Sequence, residues 1–203
     1  MNDIWKDWEA HYKQLGLDPS KICKDGIFND PKYKDTTPKI LYVMKDTNDW
    51  PGGDLKELGL KYQMWHTTAR WSAGIFRNFP DYKEVDNDKE KKEALSKIAS
   101  INLKKISGGA SADMKEINRY AHCDWELLTR QINSIDPKII IACGTTEPLI
   151  WLFDLDVELN DLSSPIKIKD KDHWIIPFWH PSRHQGKKWY DKLKSVISRI
   201  KIV

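Results

Sequence analysis

Four short apolar runs, separated by stretches of helical periodicity, constrain this chain more than any other feature. They are "KILYVM" from Lys39, "IASINL" from Ile98, "KIIIACG" from Lys138 and "HWIIPFW" from His173. Runs this short and this continuously apolar suit strands covered on both faces. Helical patterns between successive strands make βαβ units, whose crossovers set the strands parallel. The expected fold is therefore α/β: a three-layer αβα sandwich around a four-stranded, mainly parallel sheet.

The helices are read from spacing and caps. Ile4, Trp8, Tyr12 and Leu15 recur at near-helical spacing, with Asn2 or Asp3 as cap. Residues 16–38 read as loop because Pro19, Gly26, Pro31 and Pro38 interrupt them. "MWHTTARWSAGIF" reads as helix, and the charge run from Asp81 reads as solvated surface that becomes helical near Ala94. Met114, Ile117, Ala121, Leu128, Ile132 and Ile135 predict one long helix, with Asp113 and Glu116 at capping-box spacing. Thr145 or Thr146 is expected to cap the next helix, and Lys187–Ile200 to close the chain as a helix. Residues 1–38 are expected to pack as a helix and loop on a domain spanning 39–203, one compact unit overall.

Composition excludes several classes. The chain of 203 residues carries 33 basic and 30 acidic side chains, a net charge of +3 that does not by itself imply nucleic acid. Cys23, Cys123 and Cys143 are far apart and form no Cys-x-x-Cys pair, which suits a reducing cytoplasm and not a metal–thiolate cluster. Acidic residues interrupt the first segment, so it does not read as a signal peptide, and no apolar run approaches membrane-spanning length. No cofactor, no metal and no membrane partner are expected, and the protein is expected to be a monomer. Ten tryptophans are too many to ignore: some must be core, and others are candidate stacking surfaces.

In a parallel sheet, ligands bind beyond the carboxyl ends of the strands. The four runs lead, in order, into "KDTND", "NLKKISGG", "CGTTEP" and "HPSRH". Singly, Asp46, Asn102 and Gly144 each have an ordinary structural explanation as turn, loop or helix-start residues, and His180 as a hydrogen-bonded structural histidine. Together they would bring a carboxylate, an amide, a helix start and an imidazole to one sheet edge, a set suited to a planar polar ring.

The segments "ILYVMKDTNDWPGGD", "IASINLKK", "PKIIIACGTTEPL" and "IIPFWHPSRH" resemble, in order and spacing, the uracil-DNA glycosylase superfamily, from about Lys39 to the C-terminus. His180-Pro181-Ser182 and the Asn ending the second run carry most of the likeness. The first motif departs from it: Met44-Lys45-Asp46-Thr47-Asn48 stands where the family carries Gly-Gln-Asp-Pro-Tyr-like or Gly-Glu-Ala-Pro-Gly-like sequences. Asp46 falls on the aspartate position, and Arg183 stands where a proline is usual.

The resemblance implies removal of uracil or a related damaged base from single-stranded or damaged duplex DNA by N-glycosidic hydrolysis of a flipped nucleotide. Asp46 would orient water and His180 would stabilise the departing base anion. Asn102, with one acceptor and two donors, would read the base edge. Lys45, Thr47, Asn48 and Trp65 would complete the substrate pocket, with Trp50 and Trp71 as further stacking candidates. Lys104, Ser182, Arg183, Lys187 and Lys188 would contact DNA, with Lys105 completing a basic pair. A non-catalytic nucleic-acid or nucleotide binder is the alternative, in which Lys45 pairs with Asp46; a different small-ligand hydrolase is another. His180 and His184 have a spacing seen in metal sites, but Pro181 argues against the helix that spacing requires.

Overall fold

The computed structural model describes residues 4–109, 111–157, 164–168 and 173–200. Its helices are α1 (Ile4–Gln14), α2 (Asp30–Lys34), α3 (Gln63–Phe76), α4 (Tyr82–Val85), α5 (Asp88–Leu95), α6 (Met114–Cys123), α7 (Trp125–Ile135), α8 (Thr146–Leu152) and α9 (Lys187–Ile197). Its strands are β1 (Cys23–Lys24), β2 (Gly26–Ile27), β3 (Ile40–Met44), β4 (Gly53–Asp54), β5 (Ala99–Asn102), β6 (Ile139–Cys143), β7 (Ile166–Ile168) and β8 (His173–Phe178).

The four apolar runs form the adjacent strands β5, β3, β6 and β8, and every pairing among them is parallel. The sheet is nonetheless mixed and six-stranded, in the order β2-β5-β3-β6-β8-β7, because an antiparallel strand is added at each edge. This corrects the four-stranded expectation. Strand β2 is two residues inside the segment read as loop, too short to show any period. In β7 the exposed Lys167 separates buried Ile166 and Ile168, as an edge strand allows. A separate parallel pair joins β1 to β4.

Successive strand residues point to opposite faces, so each continuously apolar run feeds two cores. Leu41, Val43, Ile140 and Ala142 pack with α1, α6, α7 and α8, through residues such as Trp8, Ile117, Leu128 and Leu149. Ile40, Tyr42, Met44, Ile139 and Ile141 pack on the other face with Trp71, Leu95 and Leu193 of α3, α5 and α9. Trp71 is thus core, edge-on to Phe178 at 4.9 Å, and not a stacking surface. Among the described residues no helix is long and apolar enough to cross a membrane, and the three cysteines are free.

The long helix expected from Met114 to Ile135 is broken at Asp124, which ends α6 and starts α7. Its buried carboxylate is drawn inward by α1, accepting from Tyr12 Oη at 3.0 Å and lying 2.8 Å from His11 Nε2. Asp113 caps α6 as expected, accepting from the Lys115 amide. Asn2 and Asp3, the expected caps of α1, lie outside the described residues. Thr145 occupies the N-cap position of α8 but does not cap it; its hydroxyl donates to Val43 O at 2.8 Å and ties that helix start to β3.

A buried ion pair anchors the segment after β5. Lys105, fully buried, donates to both oxygens of Asp25 at 2.9 and 3.0 Å. Gln131 Nε2 donates to the same carboxylate at 2.9 Å, and the Asn102 amide at 2.7 Å. Lys105 is therefore no part of a basic surface, and burial holds its ammonium below the ordinary lysine range. Removing the anion strands a buried cation. Asp25→Ala is expected to cost about 3–5 kcal/mol in urea unfolding, whereas replacing both partners, as Asp25→Leu with Lys105→Met, is expected to cost clearly less.

Candidate active site

Parallel pairing sends the carboxyl ends of β5, β3, β6 and β8 to one edge, and a cleft of about 740 Å³ opens there. Lys45, Asp46, Thr47, Asn48, Asn102, Gly144, His180, Ser182 and Arg183 all line it. Residues scattered over more than half of the sequence are thus brought to one wall by four strand ends.

Asp46 leaves the end of β3 towards β5. Its nearly covered side chain lies 3.9 Å from Lys104 Nζ, which is itself 3.2 Å from Glu116. The loop carrying Gly108 crosses directly over it: Gly108 N donates to Thr47 O at 2.8 Å, and a Cβ at Gly108 would overlap Asp46 Oδ2. Only a glycine allows that approach. Burial raises the Asp46 pKa above the ordinary aspartate value; the Lys104 cation opposes the rise and the Glu116 anion adds to it.

Two expectations change here. Lys104, 3% exposed, cannot contact DNA from this position; it is the cation of Asp46. Lys45 does not pair with Asp46 but turns the other way, towards β6, where its methylene and ammonium lie against Gly144. A positive φ of 71° at residue 144 suits glycine, and a Cβ there would sit 3.1 Å from Lys45 Cε.

His180 follows β8 and closes the opposite wall. The Ser182 amide donates to its Nδ1 at 3.3 Å, and Ser182 Oγ lies 2.8 Å from the same atom. A backbone N–H can only donate, so Nδ1 accepts and the neutral ring carries its proton on Nε2. Burial first, and then the Lys45 ammonium, push the imidazole pKa down to about 4. Near neutral pH the site therefore presents an uncharged N–H donor. Ser182, expected on DNA, instead orients the imidazole with its hydroxyl and amide. Residues 181–183 form a turn, as Pro181 requires, and His184 Nδ1 donates to His180 O at 3.2 Å. The two histidines are not arranged on a helix face.

Asn102 ends β5, with its backbone amide held by Asp25. Among the described residues its carboxamide has no hydrogen-bond partner, and the residue lines the cleft. Thr47 Oγ1 is engaged by Cys23 Sγ at 3.1 Å, while Asn48 is exposed at the lip. Trp65 is 4% exposed and meets Phe28 edge-on at 5.1 Å, so it supports the wall and does not offer a free face. Arg183 is exposed and lines the cleft. Lys187 and Lys188 start α9 outside the lining, where Lys187 is paired with Asp191 at 2.5 Å.

The sequence reading gave no cleft role to Phe28, Tyr62, Trp179 or His184, all of which line the cleft. Trp179 was visible immediately before His180, where the last apolar run reaches the mouth of the site. Phe28 follows the two-residue strand β2, which has no period to read, and Tyr62 sits at the N-cap position just outside the helical pattern of α3. Among the described residues one group offers metal-ligand spacing, His11, Cys123 and Asp124, and none of the three lines the cleft. No protein-family model matches the sequence, and no curated protein matches it.

The tautomer and charge of His180 are directly measurable. Imidazole NMR should place its titration near pH 4, with the Nε2–H form above it. Lys45→Met should move that midpoint up towards the ordinary value. The sign comes from linkage: between pH 4 and 6.5 the unfolded chain binds the proton that the folded chain refuses, so stability rises with pH across that window. His180→Gln should flatten that rise in urea-unfolding measurements.

Proposed function

We propose that this protein hydrolyses the N-glycosidic bond of uracil or a related damaged base in DNA, on a fold of the uracil-DNA glycosylase kind. One observation carries the reading: Asp46, Asn102 and His180 converge on a single cleft from three parallel strand ends. Each is suited to a different part of the reaction.

Cleavage of the bond develops positive charge on the sugar and negative charge on the departing base. Asp46 supplies a fixed carboxylate for the sugar side and a hydrogen-bond acceptor that orients the attacking water. His180, neutral and held from behind by Ser182, donates Nε2–H towards the oxygen where the base anion builds up. A preorganised donor of this kind is worth roughly 3–4 kcal/mol. Lys45 adds a cation on the same side of the cleft. Among the described residues its ammonium has no hydrogen-bond or ion-pair partner of its own. The free carboxamide of Asn102 accepts from one ring N–H and donates to the neighbouring carbonyl, a pattern uracil matches and cytosine does not. Phe28 gives the ring a flat apolar neighbour.

A nucleic-acid binder without catalysis is the second reading. It is favoured by the nearly covered state of the Asp46 carboxylate under the Gly108 loop.

The deciding experiment is release of an abasic site from a uracil-containing oligonucleotide, scored after alkaline cleavage. The wild-type protein should cut; Asp46→Asn and His180→Ala should each lose about 100-fold or more in rate while still binding DNA. Because Asp46 must be ionised and its pKa is raised, the rate should fall as pH drops through a value above the ordinary aspartate range. Lys104→Met, which removes the opposing cation, should move that limb to still higher pH. Retained DNA binding with no release from uracil, hypoxanthine or oxidised-pyrimidine substrates would leave the binder.

A further inference from the structure

Among the described residues, the large apolar side chains left exposed are Leu15, Tyr62, Trp125, Trp151 and Trp179. Only Tyr62 and Trp179 line the cleft, at 44% and 40% exposure. They are also the two with a lysine ammonium over the ring. Lys192 Nζ lies 3.7 Å from the Trp179 ring centre, and Lys61 Nζ lies 5.9 Å from that of Tyr62. The remaining three exposed side chains have neither feature.

Trp179 is also braced. Trp189 meets it at 5.0 Å and a tilt of 57°, Phe178 at 5.4 Å nearly edge-on, and His184 at 5.9 Å. None of these neighbours stacks parallel to it, so they hold the indole without taking the place of a stacked ring. An aromatic fixed at a cleft mouth, with a lysine ammonium over one face and the ring still exposed, has a specific chemical complement: a flat ring joined to a phosphate, the ring on the free face and the phosphate on the ammonium. Arg183, exposed on the same stretch, extends the positive surface.

We infer that Trp179 and Tyr62 are stacking platforms for unpaired bases flanking the nucleotide held in the cleft, with Lys192 and Lys61 taking the adjoining phosphates, so that the preferred partner is single-stranded DNA. This rests on the proposed base-removal reading and adds the strand state to it. A duplex buries the faces of its flanking bases in its own stack and cannot offer them to two separate aromatics. Single-strand binding by stacking is tolerant of sequence, because every base has a flat face.

The test uses a fluorescein-labelled oligo(dT) 20-mer containing one uracil, the same strand annealed to its complement, and the matching RNA strand. Fluorescence polarisation is read over a salt series, and base release is scored in parallel. The wild-type protein should bind the single DNA strand more tightly than the duplex. Trp179→Ala should weaken single-strand binding about 10-fold, the order of one lost stacked base, with little change in salt slope because no charge is removed. Trp179→Phe should retain most of the affinity, and Lys192→Gln should lower the salt slope by about 0.7. Trp151→Ala, exposed but outside the cleft, is the control, and melting curves confirm that each variant is folded. Equal loss of single-strand and duplex binding in Trp179→Ala, or no loss, would overturn the inference. Tighter binding of the RNA strand would overturn the assignment to DNA. The two ideas fail separately: Trp179-dependent binding without base release removes the chemistry and keeps the platform. Base release indifferent to Trp179 and strand state does the reverse.

Discussion

The Asp25–Lys105 pair fixes the geometry on which the site depends. Asp25 sits between two of the shortest strands, β1 and β2, where neither packing nor ladder hydrogen bonds can hold much. It compensates by accepting from Lys105, Gln131 and the Asn102 amide at once. The end of β5 is thereby locked to α7 and to the N-terminal part of the chain. Lys105 N adds a bond to Tyr12 Oη at 3.1 Å, which connects the same loop to α1 and Asp124. A carboxylate that accepts several bonds at once directs the groups around it. Here the bonds to Asp25 orient the neighbours of Lys105 in sequence; among the described residues the buried Gln131 Oε1 has no partner. Asn102 faces the cleft, and Lys104 reaches Asp46.

The cleft is electrostatically divided. On the β5 side, Asp46 and Glu116 share the Lys104 cation under the Gly108 loop. On the β8 side, Lys45 and Arg183 lie beside a histidine kept neutral first by its burial and then by the charges around it, Lys45 foremost. A bond that separates positive sugar from negative base, aligned from the first side to the second, would be stabilised at both ends. The proposed chemistry draws on that polarity more than on any single side chain.

Much of this was legible in the sequence, and the reasons differ by element. The central strands were visible because continuous apolar runs of Ile, Val and Leu have few other fates in a chain of this composition. The convergence of Asp46, Asn102, Gly144 and His180 came from their common position after those runs. What failed to show were features set by tertiary partners. The break at Asp124 depends on Tyr12 and His11, more than a hundred residues earlier. The burial of Lys104 and Lys105 depends on Asp25 and Asp46, and a basic pair in a loop reads as surface until those carboxylates are seen. Trp65 and Trp179 look alike in sequence, yet one is wall and the other is exposed at the mouth, a difference of packing that no local pattern encodes.

Strand order acts here as a caliper. Asp46 leaves β3 and His180 leaves β8, and β6 lies between them. Two inter-strand steps of about 4.8 Å separate the two walls by about 10 Å at the sheet edge, roughly the span of a nucleobase with part of its sugar. The intervening strand β6 ends at Cys143, and Gly144 after it leaves room for the Lys45 side chain to lie in the gap. The spacing of the two walls is therefore set by the hydrogen-bonding pitch of the backbone, which side-chain substitution does not alter, while the Lys45 side chain and the loops above set what is admitted between them.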